Sequence, residues 1–163
     1  CNVPVKKGDF FFIESGTLHA ICKGILLAEV QESSNTTYRI YDYGRLGNDG
    51  KPRELHVSDA VEVTKLEKYS QPDFCKGAEL YNDSKKLLAD CPLFKVWKLD
   101  VDGEFSGNSD ENSFVSLLIM DGEGILECCN ENISLKKGDS IFIPANAGGY
   151  KLSGELEIIE TRI

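Results

Sequence analysis

One short pattern occurs twice in this chain, and a chain that repeats a pattern is constrained to fold it twice. Val5-Lys6-Lys7-Gly8-Asp9-Phe10-Phe11-Phe12-Ile13-Glu14 aligns with Leu135-Lys136-Lys137-Gly138-Asp139-Ser140-Ile141-Phe142-Ile143-Pro144, Gly138 standing 130 positions after Gly8. The first copy continues through Ser15-Gly16-Thr17-Leu18 to His19, the second through Ala145-Asn146-Ala147-Gly148 to Gly149. Two small β units, or pieces of two, are implied. Only the first keeps a side chain able to ligate a metal at the equivalent place.

The 163 residues can bury one ordinary core or two small ones, and a composition of 41% hydrophobic and 28% charged residues is globular. A net charge of -9 argues against a nucleic-acid partner, which needs clustered Lys and Arg. No apolar run reaches the roughly 18 to 20 residues that span a bilayer, and no segment reads as a signal peptide, so a soluble, cytoplasmic protein with no membrane partner is expected. The six cysteines form no C-x-x-C pair and are read as reduced thiols. Cys128 and Cys129 are neighbours on an expected strand, so at most one points inward. The opening, Cys1 followed at once by Val3-Pro4-Val5, reads as a chain cut in mid-protein.

Short runs of Phe, Ile, Val and Tyr predict strands near 9–13, 25–30, 37–43, 61–64, 94–101, 113–120, 124–128, 132–135, 140–143 and 155–160. Asp49-Gly50, Asp102-Gly103 and Asp121-Gly122 are expected turns. From Lys65 to Pro92 charge rises and periodicity weakens, with a break at Gln71-Pro72-Asp73 and room for a short helix or two within Lys76 to Ala89.

Gly8-x5-Glu14-x-Gly16-x2-His19 follows the second signature of the cupin barrels, with Glu14 in the place of the usual proline. Ser15-Gly16-Thr17-Leu18-His19-Ala20, Thr36-Thr37-Tyr38-Arg39-Ile40-Tyr41-Asp42-Tyr43 and Arg53-Glu54-Leu55-His56 closely resemble the bacterial type I mannose-6-phosphate isomerases. The resemblance covers most of residues 3–64 and, more loosely, 86–163. It implies an all-β chain of cupin-type (jelly-roll) barrels, one partial and one complete, joined by a short irregular or helical bridge. Residues 1–64 would form the second half of the catalytic barrel, 65–92 the connection, and 93–163 a metal-free carboxy-terminal barrel.

The resemblance further implies part of a zinc-dependent isomerase that interconverts mannose 6-phosphate and fructose 6-phosphate through an enediol. His19 matches a zinc ligand of that family, Arg39 an arginine implicated in the isomerisation, and Glu29 an acidic strand residue. Arg39 could stabilise an enediolate or steer the phosphate, or be half of a solvated ion pair. Glu29 could be a base, an orienting partner of a ligand, or a structural carboxylate. If residues 37–41 form a strand, Thr37, Arg39 and Tyr41 share a face. His56 reads as a hydrogen-bonding surface or packing residue, and Lys6, Lys7, Lys136 and Lys137 as exposed strand-end charges.

Two departures from the family pattern carry weight. Asn35 stands where an aspartate is common. The other zinc donors lack counterparts, since His19 and His56 are the only histidines and a catalytic zinc takes about three protein ligands. Zinc is thus expected to be absent or weakly held by this chain, and the chain alone to be nearly inactive. The second copy offers Ser109, Asp110, Glu111 and Val115 where a metal-binding cupin would place its histidines, and reads as a packing or oligomerising module. The alternative is a noncatalytic sugar-binding or regulatory cupin module. A homodimer through open barrel edges is a further expectation.

Overall fold

The structure, a computed structural model, describes residues 2–34, 36–70, 80–82 and 84–163. The chain divides into two compact units, one of Cys1–Phe10 with Gln71–Ile163 and the other of Phe11–Ser70. In the first, segments with apolar side chains at alternate positions bury one face and satisfy their backbone only as a sheet. Seven strands form it: β1 (Leu80–Asn82), β2 (Lys85–Asp90), β3 (Lys95–Ser109), β4 (Val115–Cys128), β5 (Glu131–Lys136), β6 (Ser140–Ile143) and β7 (Gly148–Arg162). Their order is β1-β2-β3-β7-β4-β5, with β6 also on β4, and every pairing is antiparallel. The all-β architecture expected from the sequence is present. The described ladder stays open, however, because β1 makes no pairing with β5 or β6, whereas residues 93–163 were expected to form a complete barrel.

Asp102-Gly103 and Asp121-Gly122, expected to reverse the chain, lie inside β3 and β4 instead. Gly103 (φ +92°) pairs with Gly154 (φ +121°), which pairs on its other side with Gly124. A Cβ on Gly122 would fall 1.9 Å from the Glu155 carbonyl oxygen, so only glycine permits this approach of backbones. The segments expected as separate strands at 113–120 and 124–128 are therefore one strand. A register slip between Ile119 and Asp121 then sets its faces. A one-residue slip exchanges inward and outward positions, and Val115, Leu117 and Ile119 face the core before it, Leu126 after it. They pack with Leu99, Val101, Leu152, Leu156 and Ile158.

The two copies of the repeat turn alike. The Asp9 N–H donates to the Lys6 carbonyl (3.2 Å) and the Asp139 N–H to that of Lys136 (3.0 Å), with Gly8 at φ +89° and Gly138 at φ +91°. Each aspartate also reaches back, accepting the Lys6 N–H at 2.9 Å or the Lys136 N–H at 2.8 Å. The next turn recurs as well: Thr17 N–H to Glu14 O at 3.0 Å with Gly16 at φ +84°, and Ala147 N–H to Pro144 O at 3.3 Å with Asn146 at φ +62°. Positive φ at the third residue of such a turn favours Gly or Asn. Lys7 and Lys137, exposed as expected, both reach Asp121 (3.2 and 3.3 Å), and Lys7 also reaches Glu157 at 3.0 Å. These ammonium groups, Lys7 first, hold the Asp121 carboxyl below its usual range.

The unit Phe11–Ser70 is built differently. The strands expected near 9–13, 25–30 and 37–43 make no ladder among the described residues, because an apolar run becomes a strand only where a neighbour takes its backbone groups. An isolated bridge, Leu46↔Pro52, closes the expected Asp49-Gly50 turn. The strand expected at 61–64 is replaced by α1 (Val57–Val63), in which His56 and Ala60 carbonyls accept the N–H groups of Ala60 and Thr64. A helix satisfies its backbone locally and needs no partner. Helix was expected within Lys76–Ala89; the part that is described forms β1 and β2, since pairing with β3 overrides a weak local preference. The break at Gln71-Pro72-Asp73 lies outside the described residues. No helix of the described residues is long and apolar enough to cross a membrane.

Candidate functional site

The Glu14–Thr17 turn positions His19. Its Gly16 carbonyl accepts the Lys65 N–H at 2.9 Å, and a Cβ on Gly16 would meet the Val63 carbonyl at 2.6 Å. Two residues on, the exposed His19 ring donates from Nδ1 to the Thr17 carbonyl at 2.9 Å. A carbonyl only accepts, so Nδ1 carries the proton, and in the neutral ring Nε2 has the lone pair. An imidazole can ligate a metal through either ring nitrogen, and here Nε2 is the one left free. The described residues place no strand ladder around this imidazole, which faces solvent.

Arg39 sits in a network of backbone and side-chain bonds. Its N–H donates to His56 Nδ1 at 3.3 Å, the His56 N–H donates to the Arg39 carbonyl at 2.7 Å, and Arg39 Nη1 donates to the Glu54 carbonyl at 3.2 Å. Asp42 lies 3.7 Å from Arg39 Nε and is gripped more closely by Arg53, whose Nε donates to Oδ2 at 2.5 Å and whose Nη2 bonds Oδ1. The Arg53 contact is the main reason the Asp42 carboxyl is held below its usual range. Because Arg53 takes both oxygens of Asp42, the charge of Arg39 is only partly offset, and its side chain remains 24% exposed. Tyr41 shares no strand face with Arg39; it is exposed and meets the Tyr43 ring edge-on at 4.8 Å.

Glu29 is exposed and takes no partner among the described residues. His56, whose ring nitrogen and backbone bind Arg39 and whose ring lies 6.3 Å from that of Tyr38, is the packing and hydrogen-bonding residue expected. Asn35 lies outside the described residues. The network joins Arg39, Asp42, Arg53, Glu54 and His56; His19 and Glu29 stand apart from it. Among the described residues no group of three His, Cys, Asp or Glu side chains could hold a metal ion. The donors present therefore do not fit a zinc centre by themselves, and His19 offers one ligand.

Sequence reasoning missed a second polar cluster, in the unit expected to be a blank packing module. On β7, Leu156, Ile158 and Glu160 alternate toward the core, and Glu160 is fully buried. Its Oε1 accepts from Lys85 Nζ at 2.8 Å and from Arg162 Nε at 2.6 Å. Lys85 Nζ also lies 4.6 Å from the centroid of the Trp97 ring, and burial pulls its pKa down despite Glu160. Arg162 Nη1 donates to the Asn108 carbonyl at 3.0 Å, and Nη2 approaches the buried Tyr150 hydroxyl at 3.5 Å. Burial, then the Glu160 charge, pushes the Tyr150 phenol up. The legible signal was a glutamate in inward phase on an otherwise apolar strand; its cationic partner on β2 could not be read from spacing.

Cys22, Cys91, Cys128 and Cys129 are free thiols, and Cys1 and Cys75 lie outside the described residues. Cys128 is half-buried and Cys129 exposed at φ +56°, with their Sγ atoms 3.3 Å apart.

Residues 83–163 match the protein family described as the cupin domain of mannose-6-phosphate isomerase. The chain is 36% identical to the mannose-6-phosphate isomerase ManA of Bacillus subtilis over 99% of its own length and 51% of that protein. It is 34% identical to the mannose-6-phosphate isomerase of Streptococcus mutans over 97% of its length and 49% of that protein. Its structure is similar to the crystal structure of the mannose 6-phosphate isomerase from Bacillus subtilis, with a TM-score of 0.67 and 30% identity, covering 80% of this chain and 41% of that one. The chain thus spans about half the length of the curated relatives it matches. Residues 83–163 are thus a cupin domain of the mannose-6-phosphate isomerase family, and the chain as a whole is similar to proteins of that name.

Proposed function

We propose that this chain forms part of an aldose–ketose isomerase that interconverts mannose 6-phosphate and fructose 6-phosphate through an enediol. What carries the reading is the likeness along 97–99% of the chain to proteins named for that activity. Moving a proton between C1 and C2 builds negative charge on the sugar oxygens. Arg39, anchored through its backbone and Nη1 yet only partly neutralised by Asp42, suits a role as the cation that faces this charge or the phosphate. Glu29, an exposed and unpartnered carboxylate, suits the base or an orienting role.

The zinc that the family resemblance implies would polarise those oxygens and draw one ligand, His19 Nε2, from this chain. The remaining donors would come from polypeptide beyond the described residues. The proposed setting is cytoplasmic, with a sugar phosphate as partner and neither nucleic acid nor membrane. Residues 1–64, 65–92 and 93–163 are proposed as half of a catalytic barrel, a connection and a metal-free barrel; open sheet edges would favour a homodimer.

The test is isomerase kinetics on a polypeptide of the relatives' full length that carries this chain, beside the 163-residue chain alone. Arg39→Ala should lower kcat by about 10²-fold or more, the usual effect of removing one stabiliser of developing charge. The 163-residue chain should show little or no turnover and bind zinc more weakly than about micromolar, a ceiling set by its single matched donor. Full activity in the Arg39→Ala protein would remove Arg39 from the reaction. Tight 1:1 zinc binding by the 163-residue chain that disappears in His19→Ala would refute the shared-ligand reading.

A further inference from the structure

Neighbouring residues on a strand send their side chains to opposite faces, which would hold the sulfurs of Cys128 and Cys129 apart. The structure brings them within 3.3 Å of each other instead. Cys128 ends β4 and pairs with Glu131, the first residue of β5, so Cys129 and Asn130 form a two-residue hairpin loop. Both are left-handed, at φ +56° and φ +65°, a type I′ geometry in which asparagine and glycine are usual and cysteine is not. Leaving the strand conformation at Cys129 is what lets the two sulfurs meet. Cys129 is exposed, with its Sγ 3.9 Å from the Ala147 carbonyl oxygen, and Cys128 is half-buried beside it. Burial, then the Cys129 thiol, pushes the Cys128 thiol up.

A direct S–S bond suits this pair poorly. Adjacent Cα atoms stand about 3.8 Å apart across a trans peptide, closer than the roughly 4.4 Å at which the usual disulfide spacing begins. One atom inserted between the sulfurs closes a larger ring without drawing them together. A tetrahedral metal is not served, because no group of three His, Cys, Asp or Glu donors exists among the described residues. A two-coordinate soft cation prefers its thiolates on opposite sides. Trivalent arsenic, a pyramid with bond angles near a right angle, takes two sulfurs on one side.

We propose that Cys128 and Cys129 form a dithiol site for a trivalent organoarsenical. The exposed Cys129 sulfur bonds first to the arsenic of R–As=O and the Cys128 sulfur second. Both thiol protons pass to the oxygen, which leaves as water, so two As–S bonds replace the As=O bond and no atom is oxidised or reduced. The second bond forms within one molecule, and that is the source of the hold. The site uses none of His19, Glu29 or Arg39.

The test treats the reduced 163-residue chain, freed of reductant, with a slight excess of phenylarsine oxide, followed by trypsin and mass spectrometry. Cleavage after Lys98 and Lys136 releases a peptide whose only cysteines are Cys128 and Cys129. That peptide should carry one phenylarsenic group, which excess glutathione leaves in place and a small 1,2-dithiol removes. In Cys129→Ser, a change at an exposed turn, about a hundredfold less glutathione should strip the group, the loss expected when two-point attachment becomes one-point. Cys128→Ser should behave alike. An unlabelled peptide would overturn the proposal, as would a label that glutathione strips from the unsubstituted chain. Retention unchanged in either variant would overturn it equally.

Discussion

The unit Phe11–Ser70 and the sheet of β2 to β7 begin from matching turns and end in opposite states of burial. In the sheet, Leu99, Leu117, Leu152 and Ile158 are fully buried, and even a glutamate is enclosed. In residues 11–70, Ala60 is the one buried apolar residue among those described, while Leu18, Leu26 and Leu66 are 62%, 91% and 95% exposed. Both regions carry strand-forming residues, and local turn chemistry is the same in both. What separates them is whether each apolar run finds a second and third run to lie against. The region holding His19 and Arg39 is therefore the less self-sufficient one, and the region with Gly149 in place of the histidine carries the stability. Most of the buried core thus lies with one copy of the pattern, and the residues proposed for function lie with the other.

That contrast can be broken most sharply in the core. Leu117→Ala should destabilise the protein by about 3–4 kcal/mol, the usual result of emptying a fully buried leucine site, whereas Leu66→Ala should change stability by less than about 0.5 kcal/mol. Urea denaturation of the two variants checks this, and comparable losses would mean that residues 11–70 fold as tightly as the sheet.

A smaller effect separates glycines. Gly122→Ala meets both a left-handed φ of +86° and the Glu155 backbone at 1.9 Å, and should cost more than about 2 kcal/mol, the combined result of a strained φ and overpacking. Gly138→Ala has the strained φ but open space, and should cost about 1 kcal/mol. Gly8→Ala, in the matching turn held to the sheet by the exposed Lys7, should cost less than Gly138→Ala. Thermal melts would rank the three; an equal penalty at Gly8 and Gly138 would show the first turn to be as integral to the fold as the second.

The smallest effect is electrostatic. The carboxyls of Asp121 and Glu157 are held low, in each case first by Lys7. A depressed carboxylate contributes stability that is complete above its unfolded pKa of about 4 and fades as pH falls through the lower folded value. Lys7→Met should therefore flatten the fall in melting temperature between pH 5 and pH 3 slightly, and added salt should reduce the difference. A variant with an unchanged acid profile would separate Lys7 from the sheet.

Much of the local geometry was legible in advance. Asp49-Gly50 closes its small loop as expected, and β6 falls on residues 140–143. Gly103 and Gly122 were misread because a glycine at positive φ can either reverse a chain or let a long strand continue, and only the strands beside it decide which. β2 was invisible for a related reason: Lys85-Lys86-Leu87-Leu88-Ala89 favours neither state strongly until β3 is there to pair with it. At the candidate site, His19 and Arg39 were found through motif spacing, but the sharing of Asp42 between Arg39 and Arg53 was not, because it depends on side-chain reach across a loop.

By itself the sequence determined the Asp49-Gly50 turn and the apolar runs of period two that become strands in the carboxy-terminal sheet, since these are properties of a few adjacent residues. It also determined which copy of the repeat could ligate a metal, because that rests on one side chain. Only the tertiary structure decided which apolar runs became strands, and that Glu160 with Lys85 and Arg162 would form a buried polar cluster. Pairing and burial depend on residues far away along the chain, and their energies exist only once those residues are brought together.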